Sequence, residues 1–247
     1  MPDRSDHRRW PPAEVAIAHL INGLRRLKRP GLYQHELVVV HVGKCAGATV
    51  RNELLAAGIV HSEVHVSRPI YFPGKRYLIL LRNPVDRFVS AFNWRHRIVM
   101  QDQSATNPVR ARIERAVFER YPTVEQAALA LFRADGSADH AVWSDLDHIS
   151  HVQKNIAFYL RRFLNVCDPS CLQGVVCVET IHADMQRLFG VEVSRYDHRN
   201  APAASPVRLS DQARANVFRY LQADYQCIEC LSVLGLIPPA SRDRLLG

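Results

Sequence analysis

A chain of 247 residues with 47% apolar and 23% charged content is long enough for one large α/β domain with a buried core, and its composition excludes extended disorder. With 32 Lys and Arg against 24 Asp and Glu, a formal charge of +8, it favours anionic partners: phosphates, sulfated or acidic glycans, nucleic acid or a lipid surface. No nucleic-acid motif accompanies that charge, so nucleic acid is not an expected partner.

The opening "MPDRSDHRRWPPAE" lacks the apolar core of a secretory signal, and no apolar run reaches the roughly 20 residues of a membrane span. A cytoplasmic setting is therefore the expectation. Residues 1–36 are read as an N-terminal helical extension, "AEVAIAHLINGLRRLKR" followed by a Pro-Gly turn, with the basic run "RRLKRP" as a solvated helix end. Residues 37–247 are read as the α/β domain. "ELVVVHVG" is a β-branched apolar run closed by glycine, which suits a strand buried on both faces of a parallel sheet. "TVRNELLAAG" follows as a helix with a glycine at its end.

"IVHSEVHVS" is expected to hold a second strand, "KRYLILLRNP" a third, and "VDRFVSAFNWRHRIV" the helix after it. The stretch "NPVRARIERAVFERYPTVEQAALALFR" predicts two helices around Pro122, and "DHISHVQKNIAFYLRRFL" a further one. "GVVCVETI" is a fourth strand and "HADMQRLFG" a helix with its glycine stop. "RYDHRNAPAASPV" is loop by composition. "LSDQARANVFRYLQADYQCIECLSVLG" is expected to be one long helix capped by Ser210 or Asp211. Within it Cys227 and Cys230 have the spacing of half a zinc site but no second pair nearby, and six cysteines in this length are not a disulfide framework; they are read as structural. Strands alternating with helices predict a parallel sheet flanked by helices, with ligands at the carboxyl ends of the strands.

Two segments at that rim carry the chemistry. In "GKCAGAT" the small residues Gly43, Ala46, Gly47 and Ala48 let backbone approach a ligand, helix-opening amides favour an anion, and Lys44 adds a full charge. The usual nucleoside-triphosphatase loop ends in lysine and a hydroxyl residue; here the lysine comes first and Cys45 follows it. In "LLRNPVDRFVSAFNWR" Arg82 offers a planar fork at a strand end and Ser90 a hydroxyl eight residues on. Asp86 and Arg87 are read as a surface pair.

Together these segments resemble the paired motifs of sulfotransferases that use 3'-phosphoadenosine 5'-phosphosulfate, particularly the heparan sulfate 2-O and chondroitin types. The first motif of that family reads roughly P-K-x-A-G-T-[ST], against "GKCAGAT" here, with Gly43 in place of the proline and Ala48 in place of a hydroxyl residue. The second reads R-[DN]-P-[VI]-x-R-[FL]-x-S, which "RNPVDRFVS" matches at every fixed position. The similarity spans about residues 37–235.

The resemblance implies a P-loop-like three-layer fold with a central parallel sheet, and a donor site in which Gly43, Lys44, Cys45, Ala46, Gly47, Ala48 and Thr49 hold the 5'-phosphosulfate. Arg82 and Ser90 hold the 3'-phosphate, with Arg199 of "DHRN" beside them. Thr49 is taken to supply the hydroxyl contact. Lys44 is the cation for the leaving phosphate. His65, in an "HVS" like the one carrying the catalytic histidine of the 2-O enzymes, is the general base, with His61 and Glu63 as substitutes. His148 and His151, read as sharing one helix face, are assigned to acceptor binding; no metal is expected. The implied activity is sulfuryl transfer to a hydroxyl of a carbohydrate or glycolipid-type acceptor. The alternatives are a P-loop kinase using ATP and magnesium, for which only Glu179 offers a carboxylate at the rim, and a noncatalytic binder of acidic glycans.

Overall fold

The computed structural model describes residues 10–194 and 208–246. In chain order the elements are α1 (Pro12–Lys28), β1 (Leu37–His41), α2 (Gly47–Ala56), β2 (Ser62–His65), β3 (Arg76–Leu81), α3 (Pro84–His96), α4 (Pro108–Arg120), α5 (Val124–Ala130), α6 (His140–Leu146), α7 (Ile156–Val166), β4 (Leu172–Cys177), α8 (Ile181–Phe189), α9 (Asp211–Tyr220), α10 (Gln222–Val233) and α11 (Pro239–Leu246). The described residues fall into two compact units. One comprises 10–83, 156–194 and 223–246; the other comprises 84–155 and 208–222.

The first unit is built on a four-stranded, fully parallel sheet in the order β2-β1-β3-β4. Its strands form because they are apolar runs. Val38, Val39 and Val40 of β1 and Leu78, Ile79, Leu80 and Leu81 of β3 are all buried, so both faces of these strands are covered, as parallel sheets require. The chain leaves β1 toward β2 on one side, then crosses to the other side of β1 to form β3. That reversal is a topological switch point between β1 and β3, where open α/β sheets place their ligands. Residue pairing there is Val40 with Ile79 and His41 with Leu80. The loop after β1 and the turn after β3 therefore leave the sheet side by side.

α1 belongs to the same unit as the sheet and packs along α7. The Asn22 side chain bonds the Tyr71 backbone in both directions, at 3.1 and 2.8 Å, and Glu14 pairs with Arg161 at 2.9 Å.

Two helices differ from expectation. The helix expected from Asp147 begins only at Ile156, and residues 148–155 form turns, with His151 left-handed at φ 67°. Side chains have taken the groups a helix would use. The buried Arg87 guanidinium donates to the carbonyls of His151, at 2.8 Å, and Lys154, while the Ser150 amide donates to the Glu114 carboxylate at 2.7 Å. The start of α7 is set by Asp224, whose carboxylate accepts from the amides of Ile156 at 3.1 Å and Ala157 at 2.8 Å. The single C-terminal helix is in fact two, broken at Leu221 where the chain passes between units. Asp224 lies in the first turn of α10, where a carboxylate favours a new helix start. Ser210 does cap α9, accepting from the Ala213 amide at 3.2 Å. α6, for which no element was predicted, is capped by Asp139. No helix among the described residues is long and apolar enough to cross a membrane.

Candidate active site

The loop from β1 to α2 is strained. Lys44 and Ala46 are left-handed, at φ 71° and 54°, whereas Gly43, Cys45 and Gly47 are not. In phosphate loops alternation of this kind turns successive amides to one side; here the Cys45 amide turns back to donate to the Val42 carbonyl at 3.2 Å. A non-glycine residue in this region costs of order 1–3 kcal/mol and persists where its surroundings enforce it, commonly at a ligand site. Val66, just after β2, is a β-branched residue in the same region at φ 55°. Of the five left-handed non-glycine residues described, three thus sit at the carboxyl edge of β1 and β2.

Lys44 is half-buried in this loop, and Ala46, which is itself left-handed, is the N-cap of α2. The amides that open a helix have no partner within it. Cys45 turns inward, its thiol 3.9 Å from the Gly43 carbonyl. Thr49 is fully buried in the first turn of α2, while Ala48 is half-buried.

Across the switch point, Arg82 follows β3 directly and is half-buried. Its neighbour Asn83 is fixed on both sides: the backbone amide donates to Glu179 at 2.8 Å, and the side-chain amide donates to the carbonyls of Arg244 and Leu245 at 3.3 and 3.1 Å. Glu179, in the turn after β4, thereby orders the segment that presents Arg82. Pro84, at the first position of α3, starts that helix without needing an amide partner.

The third component was missed in the sequence. His41, the last residue of β1, pairs across the strands with His65, the last residue of β2, and Val39 pairs with Glu63. His41, Glu63 and His65 therefore project from one face of the sheet edge. The Glu63 carboxylate accepts from His41 Nδ1 at 2.5 Å, and the two imidazoles stack with centroids 4.1 Å apart at 25°. His65 Nδ1 donates to the His41 carbonyl at 3.3 Å, selecting the tautomer whose lone pair lies on Nε2. A histidine ending an otherwise apolar strand, one residue before the loop, was the available signal. The two substitutes for His65 have other work: Glu63 orients His41, and His61 Nδ1 donates to the Ile59 carbonyl at 3.2 Å.

These three residues place possible metal-ligand atoms within 4.8 Å of one another. His41 Nδ1 is committed to Glu63, so to seat an ion the proton between His41 and Glu63 must leave.

His41 also explains Gly47. A Cβ at Gly47 would stand 2.0 Å from His41 Nε2, and the ring is held between Glu63 and His65. Gly47→Ala is expected to destabilise the fold by about 1–3 kcal/mol and to weaken anion binding at the loop, as thermal unfolding and a phosphate-ligand titration would show.

The hydrogen bond from His41 holds the Glu63 carboxyl below its usual value, with smaller contributions in the same direction from the charges of His41, Arg51 and His65. A depressed carboxyl stabilises the fold at pH above its unfolded-state value, about 4.3, and that contribution is lost as the pH falls through the lower folded-state value. Melting temperatures of wild type and Glu63→Gln should accordingly differ most near neutrality and converge as the pH is lowered below about 4. A constant difference across that range would show that Glu63 does not act as a charge.

Of the remaining expected residues, Ser90, His148 and His151 belong to the second unit. Ser90 is half-buried in α3, in the second unit. His148 and His151 do not share a helix face. His148 lines a cavity of about 340 Å³ with Asn107, Arg110, Asp147 and Gln153, whereas His151 packs edge-on against Trp94 at 4.9 Å. The expected surface pair of Asp86 with Arg87 does not form as read, because Arg87 is buried with its guanidinium on backbone carbonyls. Arg199 lies outside the described residues. Cys227 is fully buried in α10, and burial raises its thiol well above the usual value. Compared with family models, with curated proteins and with solved structures, the chain matches none of them.

Proposed function

We propose that this protein is a sulfotransferase with a P-loop-like fold, moving a sulfuryl group from 3'-phosphoadenosine 5'-phosphosulfate to a hydroxyl of a carbohydrate or glycolipid-type acceptor. One observation carries the reading: Lys44 and Arg82 leave adjacent parallel strands at the switch point of the sheet. A ligand lying across that point meets an ammonium in a strained amide loop on one strand and a guanidinium on the next. An adenine nucleotide with phosphates at both its 5' and 3' positions has the matching charges.

Sulfuryl transfer, like phosphoryl transfer, depends on alignment and charge stabilisation more than on covalent chemistry. The acceptor oxygen bonds to sulfur as the bond from sulfur to the bridging phosphate oxygen breaks. Lys44 and the loop amides offset the charge that develops on that oxygen. His65 Nε2 takes the proton of the acceptor hydroxyl. The resulting imidazolium lies against His41 and near the Glu63 carboxylate, which stabilise its charge. The roles of Ser90 and Arg199 at the 3'-phosphate, and of His148 and His151 at the acceptor, rest on the sequence resemblance alone.

The kinase reading is weaker because Glu179, its candidate magnesium carboxylate, is engaged by the Asn83 amide. A noncatalytic glycan binder has no use for a strained loop at a strand end. Thermal stabilisation by 3',5'-adenosine bisphosphate, against ATP with magnesium, separates the three. At a hundredfold its Kd the bisphosphate should add about 2.7 kcal/mol to stability. Stabilisation by ATP with magnesium alone would establish the kinase, and stabilisation by neither would favour the binder.

A further inference from the structure

The outward face of α1 carries Ile17, Leu20, Leu24 and Leu27, which are 52%, 65%, 51% and 81% exposed. Their spacing of three, four and three residues puts them in one stripe along the helix. The opposite face is fixed to the unit: Ala18 is buried, Asn22 bonds the Tyr71 backbone, and Glu14 pairs with Arg161. The stripe therefore cannot turn inward. Lys28 borders it on one side, and on that side Ile17 lines a cavity with Glu14, Arg68, Arg161 and Arg162, whereas Arg26 turns to the other face and lies over the Phe72 ring at 5.6 Å.

A cavity of about 320 Å³ lies beside α1 on the flank that carries Arg25. Its charged residues are Arg25, Arg68 and Arg162, with no acid among the lining residues, and its walls include Ile21 and Phe158. Arg25 donates to the carbonyls of Arg68 at 2.7 Å and Pro69 at 3.3 Å, and Arg68 lies over the Phe158 ring at 4.3 Å. Two of the three guanidiniums are thus held in place. Burial, followed by the charges of Arg162 and Arg25, pushes the Arg68 guanidinium below its usual value; an added anion would relieve that repulsion.

We propose that α1 is a surface anchor for an anionic lipid bilayer: the stripe enters the interface, and the Arg25, Arg68 and Arg162 cavity takes a lipid phosphate. Apolar stripes bordered by basic residues lie in the plane of such an interface, with the basic stems reaching to the headgroups. A second copy of the chain is a poorer occupant. The helix face is about 25 Å long and about 10 Å wide, far below the roughly 800 Å² per partner of a stable dimer, and pairing two such faces would bring like charges together. The proposal is independent of the sulfotransferase reading, although it would bring a lipid-linked acceptor within reach.

The test is co-sedimentation of the full chain with vesicles of phosphatidylcholine alone or with phosphatidylglycerol added. The expected result is partition onto the anionic vesicles only, weakening as salt is raised. Since each basic residue at such a surface contributes roughly fivefold, Arg162→Glu should cut partition by about 25-fold. The pair Leu20→Glu with Leu24→Glu should abolish it with an unchanged melting temperature, since both side chains are exposed. Equal partition onto neutral vesicles, or none onto either, overturns the proposal. So does self-association of the wild type in sedimentation velocity, without vesicle binding, that the same double substitution removes; the stripe would then be a contact between copies.

Discussion

Lys44→Ala is expected to lower sulfuryl transfer by at least about 10²–10³-fold, the usual loss when one preorganised group that meets developing charge is removed. The side chain supplies a full charge rather than a single amide, so this range is a lower bound. The fold should survive, because Lys44 is half-buried in a loop and alanine retains the Cβ. Lys44→Gly separates function from stability more sharply. The left-handed φ of 71° is strained for lysine or alanine but not for glycine. Lys44→Gly should therefore be as inactive as Lys44→Ala yet unfold at an equal or higher temperature, with a gain of up to about 1 kcal/mol. Transfer of labelled sulfate to a screened acceptor, together with thermal unfolding of all three proteins, checks both statements. A Lys44→Ala protein with wild-type turnover would remove Lys44 from the mechanism.

The second large effect concerns stability. Arg87 is 1% exposed, and its guanidinium donates to the carbonyls of His151 and Lys154. Arg87→Ala leaves those carbonyls without their donor and opens a cavity beneath the 148–155 turns. Unmade buried hydrogen bonds cost about 1–3 kcal/mol each, and loss of buried volume adds to this. A destabilisation of about 3–5 kcal/mol is expected from the two lost bonds and the lost volume together. Urea unfolding measures it. A loss below about 0.5 kcal/mol, typical of surface substitutions, would show that Arg87 is not the tie holding this segment.

The elements that a one-dimensional pattern controls were readable in the chain. β1, β3 and β4 each carry an apolar run, and the stops at Gly58 and Gly190 are left-handed glycines as expected; the strand order, and with it the switch point, was not readable, since β2 and β3 are joined without a helix. Features set by contacts between distant residues were not readable. Arg87 looks like a surface charge beside Asp86 until 148–155 folds over it. The same bonds stop the helix that the local pattern of His148 and His151 suggests. The break at Leu221 depends on Asp224 being needed at α7, some seventy residues earlier. At the site, Lys44 and Arg82 stood out as charged groups at strand ends and His65 through the resemblance of its "HVS", whereas His41 gains its meaning only when parallel pairing sets it against His65 and Glu63.

The central claim is that Lys44 and Arg82 hold opposite ends of one nucleotide, and calorimetric titration of 3',5'-adenosine bisphosphate and adenosine 5'-monophosphate into three proteins tests it most directly. Wild type should prefer the bisphosphate; Arg82→Ala should lose that preference by about 10- to 100-fold, the range for a hydrogen bond to a charged group, with its affinity for the monophosphate unchanged; and Lys44→Ala should weaken both ligands alike. An Arg82→Ala protein that keeps the full preference for the bisphosphate, or that weakens both nucleotides equally, would contradict the account.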